Sequence, residues 1–287
     1  MSEATLTVKA DPAASAGSAG VDGAATGWDC HVHVFDAAAP LRPGHYRPDH
    51  HPLEEIEALA QAHGMGHLVL VQPSVYGSDN TVMLRALQSA GGRHRGIAVV
   101  EPTVSDAELD RMQALGVRGV RFNLVSPAGH RGDVEADLLQ LAPRLRERGW
   151  QVQWYVRPGD LPRLLRWQAA TGLCFVLDHL AGLDATLPPT DPAWASARAL
   201  AKGGAWIKLS GWYRLAATEP YAALRPQLQH AVELFGPRCV WGSDWPHTSF
   251  AAGQRPGYAS TLAPVAQALD SLALDALLQR QAQALYR

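Results

Sequence analysis

Two histidines separated by a single residue lie near the start of the folded part of the chain, in the segment Asp29-Cys30-His31-Val32-His33. Residues two apart on a β-strand point to the same face, so we expect His31 and His33 to lie side by side, together with Asp29. Cys30 and Val32 would face the other way. Two unpaired imidazoles are costly in a core, so the pair predicts a functional site.

Two later apolar runs also end in polar residues that could act with this pair. His179 follows Phe175-Val176-Leu177-Asp178, and Asp244 follows Val240-Trp241-Gly242-Ser243. The simplest interpretation of Asp178 is a cap for the next segment, whereas Asp244 lies between two tryptophans and needs a partner or a task. Three imidazoles and a carboxylate in one place would either bind a divalent ion or polarise a carbonyl beside a general base.

Residues that could bind a substrate occur near the ends of other apolar runs. The candidates are Ser74, Arg121, Asn123, Tyr155 and Arg214, with Ser78, Asp79 and Asn80 in the loop after Ser74. Arginine prefers planar, bidentate partners such as carboxylates. The set therefore predicts a small anionic substrate.

These residues need a fold that brings strand ends together. Eight short apolar runs rich in Val, Ile, Leu and Trp alternate with helical patterns, as is typical of parallel strands buried on both faces. The predicted strands are Trp28–Phe35, His67–Pro73, Arg95–Pro102, Val117–Leu124, Trp150–Val156, Leu173–His179, Ala205–Ser210 and Arg238–Ser243. This alternation over about 250 residues predicts an α/β fold, a single (β/α)₈ TIM barrel, whose active site lies at the C-terminal ends of the strands.

The helical patterns carry recognisable ends. Pro52 opens one that stops at Gly64, and Ser105 to Glu108 form a capping box. The last two helices are predicted from Tyr221 to Phe235 and from Thr261 to Leu285.

The chain is divided into two parts by composition. Residues 1–27 are rich in Ala, Gly and Ser and predict a flexible N-terminal extension, and residues 28–287 form the barrel domain. A net charge of -2 argues against a nucleic-acid partner, and no apolar run is long enough for a membrane helix. Three cysteines predict a cytoplasmic protein without a disulfide framework, and three lysines leave little room for Schiff-base chemistry. A homo-oligomer is left open.

In its motifs the chain resembles the amidohydrolase superfamily, in the amidohydrolase-2 branch that contains 2-pyrone-4,6-dicarboxylate lactonases and sugar-lactone hydrolases. The motifs are Asp29-Cys30-His31-Val32-His33-Val34-Phe35, Val71-Gln72-Pro73-Ser74, Gly77-Ser78-Asp79-Asn80, Arg95-Gly96-Ile97-Ala98-Val99-Val100, Val117-Arg118-Gly119-Val120-Arg121-Phe122-Asn123, Leu177-Asp178-His179 and Trp241-Gly242-Ser243-Asp244-Trp245-Pro246-His247. They occur in order from Trp28 to the C-terminus.

The resemblance implies a hydrolase that opens a small anionic lactone. Asp244 would deprotonate the attacking water, while His31, His33 and His179 would hold and polarise the carbonyl. The positions that would bind the substrate's carboxylates or ring oxygens are Tyr46, Ser74, Arg121, Tyr155 and Arg214. The chain departs from the pyrone lactonases at Pro127, where they have an arginine, and His130 or Arg131 could substitute for it.

The resemblance also bears on metal content. The strand-four and strand-five positions that supply a bridging lysine or glutamate and a histidine in binuclear relatives carry neither here, which predicts no two-metal site. We expect no cofactor, with one divalent metal such as zinc on His31, His33 and Asp244 as the alternative. The other activities left open are a mononuclear metal-dependent decarboxylase of the same superfamily and a lactone isomerase.

Overall fold

Eight parallel strands form the centre of the protein in a computed structural model that describes residues 25–42, 46–248, 250–251 and 253–287. The strands are β1 (Gly27–Val32), β2 (Met65–Val71), β3 (Arg95–Ala98), β4 (Val117–Asn123), β5 (Gln151–Tyr155), β6 (Phe175–Leu177), β7 (Trp206–Leu209) and β8 (Cys239–Trp241). Each strand pairs with the next in chain order. The predicted (β/α)₈ barrel is confirmed.

Helices follow each of these strands and cover the outside of the sheet, except the last helix, whose Tyr286 packs inside the barrel. They are α1 (Leu53–Ala62), α2 (Thr81–Ser89), α3 (Asp106–Ala114), α4 (Val134–Glu147), α5 (Leu161–Thr171), α6 (Pro192–Lys202), α7 (Arg225–Phe235), α8 (Tyr258–Ala268), α9 (Ser271–Ala276) and α10 (Ala282–Tyr286). In the described part of the chain, no helix is both long and apolar enough to cross a membrane.

The barrel closes through the residues that follow β8. The amide of Asp244 donates to the carbonyl of His31 at 2.8 Å, and the amide of His33 donates to the carbonyl of Trp245 at 2.9 Å. This seam places the end of β8 directly beside the two histidines of β1.

Alternate residues of each strand pack on opposite sides of the sheet. On β2, Leu68 and Leu70 belong to the large apolar layer beneath the helices. Val69 and Val71 instead pack inside the barrel, in a smaller cluster with Tyr286 of α10. The strands are therefore buried on both faces, as their continuous apolar runs predict.

The predicted elements and the observed ones differ mainly at their ends. The helix predicted from Thr261 to Leu285 is wrong as one element, because Leu269 adopts an extended conformation and Asp270 caps a new helix by accepting from the amide of Ala273. Similarly, α7 begins at Arg225, since Tyr221 has φ +65°. Of the capping box predicted at Ser105 to Glu108, only one half is observed: Ser105 Oγ accepts from the Glu108 amide, whereas the Glu108 carboxylate accepts from Arg111. The predicted flexible extension lies outside the described residues up to position 24.

Candidate active site

Strand β1 carries a bulge that changes which of its side chains reach the site. Asp29 pairs with Leu68 and Val32 with Leu70, so three residues of β1 advance against two of β2. A bulge of this kind shifts the alternation of side chains by one position. Cys30 accordingly packs inside the barrel with the inner cluster, and Val32 packs outside.

Asp29 lies outside the barrel interior because of this bulge. Its carboxylate accepts hydrogen bonds from Tyr258 Oη of α8 and from the Ser243 amide, both at 2.9 Å. The prediction that Asp29 shares a face with His31 and His33 is therefore wrong. Its carboxylate instead ties β1 to the loop after β8 and to α8.

Three imidazoles surround one carboxylate oxygen at the C-terminal end of the strands. The Nε2 atoms of His33, His31 and His179 lie 3.3, 3.5 and 3.8 Å from Asp244 Oδ1. All four residues are buried. The structure thus brings together the four residues predicted to carry the chemistry, from β1 and from the segments that follow β6 and β8.

The second oxygen of Asp244 is held by positive charge and by a phenol. Arg214 donates to Oδ2 from Nη2 at 2.9 Å and from Nε at 3.2 Å, and Tyr213 Oη also donates to it. Burial acts to raise the pKa of Asp244, but Arg214 and the nearby imidazoles hold that pKa well below its usual range. Asp244 is therefore ionised at neutral pH, as a base that accepts a proton from water must be.

The rear nitrogens of two imidazoles have different partners. His33 Nδ1 lies 2.7 Å from the carbonyl oxygen of Val71, which accepts the Nδ1 proton and leaves the Nε2 of a neutral ring as a lone pair. His179 Nδ1 lies 2.9 Å from Ser210 Oγ, a hydroxyl that can donate or accept. Burial lowers the pKa of His179 to about 4, so this ring is neutral at neutral pH.

The third imidazole, His31, lies above a buried lysine. Its Nδ1 is 3.3 Å from Lys208 Nζ and 3.4 Å from Asp178 Oδ1. Burial and the positive charge of Lys208 hold the pKa of His31 well below its ordinary value. Within the described chain, the Nε2 atoms of His31 and His179 are buried and have no hydrogen-bond partner, so both are available to a substrate or an ion.

A layer of four polar residues lies beneath the imidazoles, inside the barrel. Lys208 donates to Gln153 Oε1 at 2.7 Å, and Asp178 Oδ2 accepts from Gln153 Nε2 at 3.0 Å and from Arg121 Nε at 3.2 Å. We call Arg121, Gln153, Asp178 and Lys208 the inner polar layer. The interpretation of Asp178 as a cap is wrong, because its side chain makes no capping hydrogen bond and is bonded to this layer instead.

The residues predicted to bind substrate surround a cavity of about 230 Å³ above the cluster. It is lined by Tyr46, Ser74, Arg121, Tyr155 and Arg214, together with His33, Asn123, Asp244 and His247. Asn123 donates to Ser74 Oγ at 2.8 Å, and Arg214 Nη1 lies 3.2 Å from Tyr155 Oη. The cavity therefore brings cationic and hydroxyl groups together with the Asp244 cluster.

Two other groups of predicted residues have different positions. Asp79 and Asn80 bond to the backbone of their own loop and of Val99, so they shape the loop after β2. Pro127 lines the main cavity, while His130 and Arg131 line a smaller one beside it that shares Ser74 and Arg121. His130 is paired with Asp137 at 2.8 Å, which leaves Arg131 as the more available cation of the two.

The cluster fits a single divalent ion by donor type and by spacing. Atoms of His31, His33 and Asp244 lie close enough together to share one ion, and imidazole with carboxylate suits zinc. The unpartnered Nε2 of His31 points toward this position. Two cations adjoin it, Arg214 on Asp244 and Lys208 on His31, and both oppose a further positive charge.

Several residues of the site are absent from the sequence predictions. They are Gln153, Lys208 and Tyr213. For Lys208 the sequence did contain a signal, because it is a charged residue between Ile207 and Leu209 in the middle of the apolar run that forms β7. A lysine is almost never fully buried unless it is paired.

The fold and the site together define a (β/α)₈-barrel enzyme. Its reactive groups are three histidines and one aspartate at the C-terminal ends of β1, β6 and β8. A family model described as Amidohydrolase, the amidohydrolase-2 family, matches residues 28–287. The chain belongs to this amidohydrolase family.

Three relatives show what the chain is similar to. It is 34% identical to a 2-pyrone-4,6-dicarboxylate hydrolase of Comamonas testosteroni, over 76% of both chains. It is 31% identical to a 4-sulfomuconolactone hydrolase of Rhizobium radiobacter, over 78% of this chain and 76% of the other. A crystal structure from Pseudomonas putida, provisionally assigned as a 2-pyrone-4,6-dicarboxylic acid hydrolase, superposes with a TM-score of 0.82 at 35% identity, covering 91% of this chain and 97% of that one.

Proposed function

We propose that the protein is a hydrolase that opens a small anionic lactone. The observation that carries this proposal is the arrangement around Asp244, in which Oδ1 faces three imidazole Nε2 atoms and Oδ2 is bound by Arg214. Two curated relatives above 30% identity are named as hydrolases, one of a pyrone dicarboxylate and one of a sulfomuconolactone. Both names describe a cyclic ester that carries an anionic group.

The positive charges of two arginines at the cavity support the proposal that the substrate is an anion. Arg214 is partly exposed there, and the guanidinium of Arg121 lies about 5.5 Å from the centre of the Tyr155 ring. A substrate carboxylate would pair with Arg214 and accept from Tyr155 or Ser74. Such a pairing would also weaken the hold of Arg214 on Asp244 and so strengthen Asp244 as a base.

In the proposed reaction, Asp244 Oδ1 accepts a proton from water, and the hydroxide adds to the lactone carbonyl carbon. The developing oxyanion accepts hydrogen bonds from imidazole N–H groups, for which the Nε2 positions of His31 and His179 are suitably free. Collapse of the tetrahedral intermediate breaks the ring C–O bond. The proton held by Asp244 then passes to the leaving oxygen, which restores the carboxylate.

The roles of the three imidazoles differ in this proposal. With its ring proton on Nδ1 and donated to the Val71 carbonyl oxygen, His33 presents a lone pair at Nε2 and can accept a hydrogen bond from the attacking water. We assign carbonyl polarisation chiefly to His31 and His179. A divalent ion, if bound, would be held by His31, His33 and Asp244 and would supply Lewis-acid polarisation of the same carbonyl.

The test is ultraviolet-monitored hydrolysis of 2-pyrone-4,6-dicarboxylate by chelator-treated enzyme, with 4-sulfomuconolactone as the second substrate. We expect loss of the lactone with release of acid, and a fall in kcat of about 10²- to 10⁴-fold in Asp244→Asn. Asp275→Asn on α9 is the matched control, because Asp275 is an exposed carboxylate that does not line the cavity.

The outcomes separate the alternatives. Retained turnover in Asp244→Asn would overturn the base assignment. A product of unchanged mass would identify an isomerase, and release of carbon dioxide would identify a decarboxylase. Activity that disappears with the chelator and returns with zinc would move the proposal to the metal-dependent form.

A further inference from the structure

We propose that Lys208 is a positioning residue that holds the proton of His31 on Nε2 and thereby disfavours a divalent ion on the cluster. The inference concerns the atoms beneath the cluster and does not depend on which lactone is hydrolysed. Lys208 is one of three lysines in the chain and is fully buried on β7. Its role must therefore be internal.

The environment of the ammonium group limits what it can do. Nζ lies 2.7 Å from Gln153 Oε1, 2.9 Å from the Cys30 carbonyl oxygen, 3.3 Å from His31 Nδ1 and 3.4 Å from Asp178 Oδ1. An ammonium has three protons and no lone pair. Two protons are used by the two nearest oxygens, and the third is directed between His31 and Asp178.

Contact with an ammonium determines the tautomer of a neutral imidazole. Because Lys208 can only donate, its hydrogen bond to His31 requires Nδ1 to be the acceptor, and this bond therefore favours the tautomer with the ring proton on Nε2. That N–H points toward Asp244 Oδ1, 3.5 Å away, at the floor of the cavity. A protonated Nε2 can stabilise an oxyanion, but it has no lone pair with which to bind a metal.

Asp178 favours the opposite tautomer. Its Oδ1 is 3.4 Å from His31 Nδ1, and an Nδ1–H donated to a carboxylate is the arrangement that orients metal-bound histidines in proteins. Here the carboxylate is already shared, since Oδ2 accepts from Arg121 and Gln153 and Oδ1 adjoins Lys208. Lys208 therefore weakens the competitor as well as bonding to His31 directly.

The positive charge of Lys208 acts in the same direction. It lies on the far side of the His31 ring from the candidate metal position, in a dry interior where charges are poorly screened. A second cation, Arg214, adjoins Asp244 from the cavity side. A divalent ion would bind between these two charges.

The experiment combines nitrogen NMR of labelled histidine with zinc-binding calorimetry, so neither readout depends on activity. In the unaltered protein we expect His31 to have its proton on Nε2, with its signals identified by their loss in His31→Asn. In Lys208→Met we expect the proton to move to Nδ1, facing Asp178, and the zinc affinity to rise about 10- to 100-fold. Lys202→Met, which removes an exposed lysine from the last turn of α6, should change neither quantity.

Two results would overturn the inference. One is an Nδ1-protonated His31 in the unaltered protein, a measurement that needs no variant of Lys208. The other is zinc affinity in folded Lys208→Met equal to that of the Lys202→Met control. If Lys208→Met fails to fold, Asp178→Asn replaces it: removing the charge of the competing acceptor should leave the proton on Nε2, and an Nδ1-protonated His31 in that variant would contradict the inference.

Discussion

Inward-facing residues of the strands line two regions of the barrel interior, and these two regions differ in chemistry. Toward the C-terminal ends of the strands, Asp244 is surrounded by imidazoles and Arg214, above the inner polar layer. Elsewhere in the interior, Trp28, Val69 and Ile97 pack with Tyr286 of the C-terminal helix in an apolar cluster. The first region is rich in charged and polar groups, and the second consists mainly of apolar packing around the Tyr286 ring.

The contrast indicates that the apolar region contributes mainly to stability and that the region around Asp244 contributes mainly to reactivity. Apolar burial is the main favourable contribution to folding, whereas buried polar atoms without partners are unfavourable. The C-terminal segment reinforces the apolar region, since Arg95 Nε donates to the Tyr286 carbonyl at 2.9 Å and Trp28 stacks on the Tyr286 ring. Variants in the two regions should therefore affect different measurements.

The largest expected effect is on stability, from Tyr286→Ala. Removing this fully buried ring leaves a cavity inside the barrel, and we expect the free energy of unfolding to fall by about 3–5 kcal/mol. Denaturant unfolding measures the change. Tyr286→Phe, which keeps the ring, should stay within about 1 kcal/mol, and kcat/KM of both variants should remain near the unaltered value where they are folded. A large loss of activity in folded Tyr286→Ala would show that the two regions are coupled.

The next effect belongs to the polar region and depends on pH. Unfolding restores the pKa of His179 from about 4 to the ordinary 6.5, so between these values the unfolded chain binds a proton that the folded chain does not. The free energy of unfolding should therefore fall as pH is lowered from 6.5 to 4, by roughly 3 kcal/mol from this residue. Above about pH 6.5 the contribution is constant.

Denaturant midpoints across this pH range test the assignment. In His179→Asn the loss of unfolding free energy between pH 6.5 and 4 should be smaller by roughly 3 kcal/mol. Tyr286→Ala should instead lower the free energy of unfolding by the same amount at every pH. An unchanged slope in His179→Asn would assign the pH dependence to other groups.

The smallest effect is expected from Tyr213→Phe. This variant removes one donor to Asp244 Oδ2 and leaves both hydrogen bonds from Arg214. We expect kcat to fall about tenfold, the equivalent of one charge-assisted hydrogen bond, with KM nearly unchanged. Steady-state kinetics on the lactone measure it. The control is Tyr221→Phe, because Tyr221 packs against Trp212. An equal loss of kcat in this control would show that Tyr213 has no specific role at Asp244.

Much of the fold could be predicted because it depends on local patterns. The apolar runs of β2 and β4 are buried on both faces, and this selects continuous Val, Ile and Leu residues that are visible in the sequence. The helix break at Leu269 could not be predicted from periodicity, since Leu269 fits the apolar pattern and the backbone is extended only at Leu269 and Asp270 between the two helices.

Much of the site was predictable because its residues follow strands, whereas Gln153 and Lys208, which lie within β5 and β7, were missed. His33, His179 and Asp244 follow apolar runs, so the topology alone places them at one end of the barrel. The direction of Asp29 depends on a bulge that strict alternation does not anticipate. The charge of Lys208 between Ile207 and Leu209 is visible in the sequence, but the groups that it contacts are not.

The sequence by itself determined the barrel, the end at which the chemistry lies and the residue types that meet there, because these follow from hydrophobic periodicity and from the order of strands. Only the tertiary structure decided which nitrogen of each imidazole faces Asp244 and which charges lie behind it. Those relations join residues as distant in the chain as His31 and Lys208, 177 positions apart. A hydrogen bond depends on distances of a few tenths of an ångström, and packing of the whole barrel sets those distances.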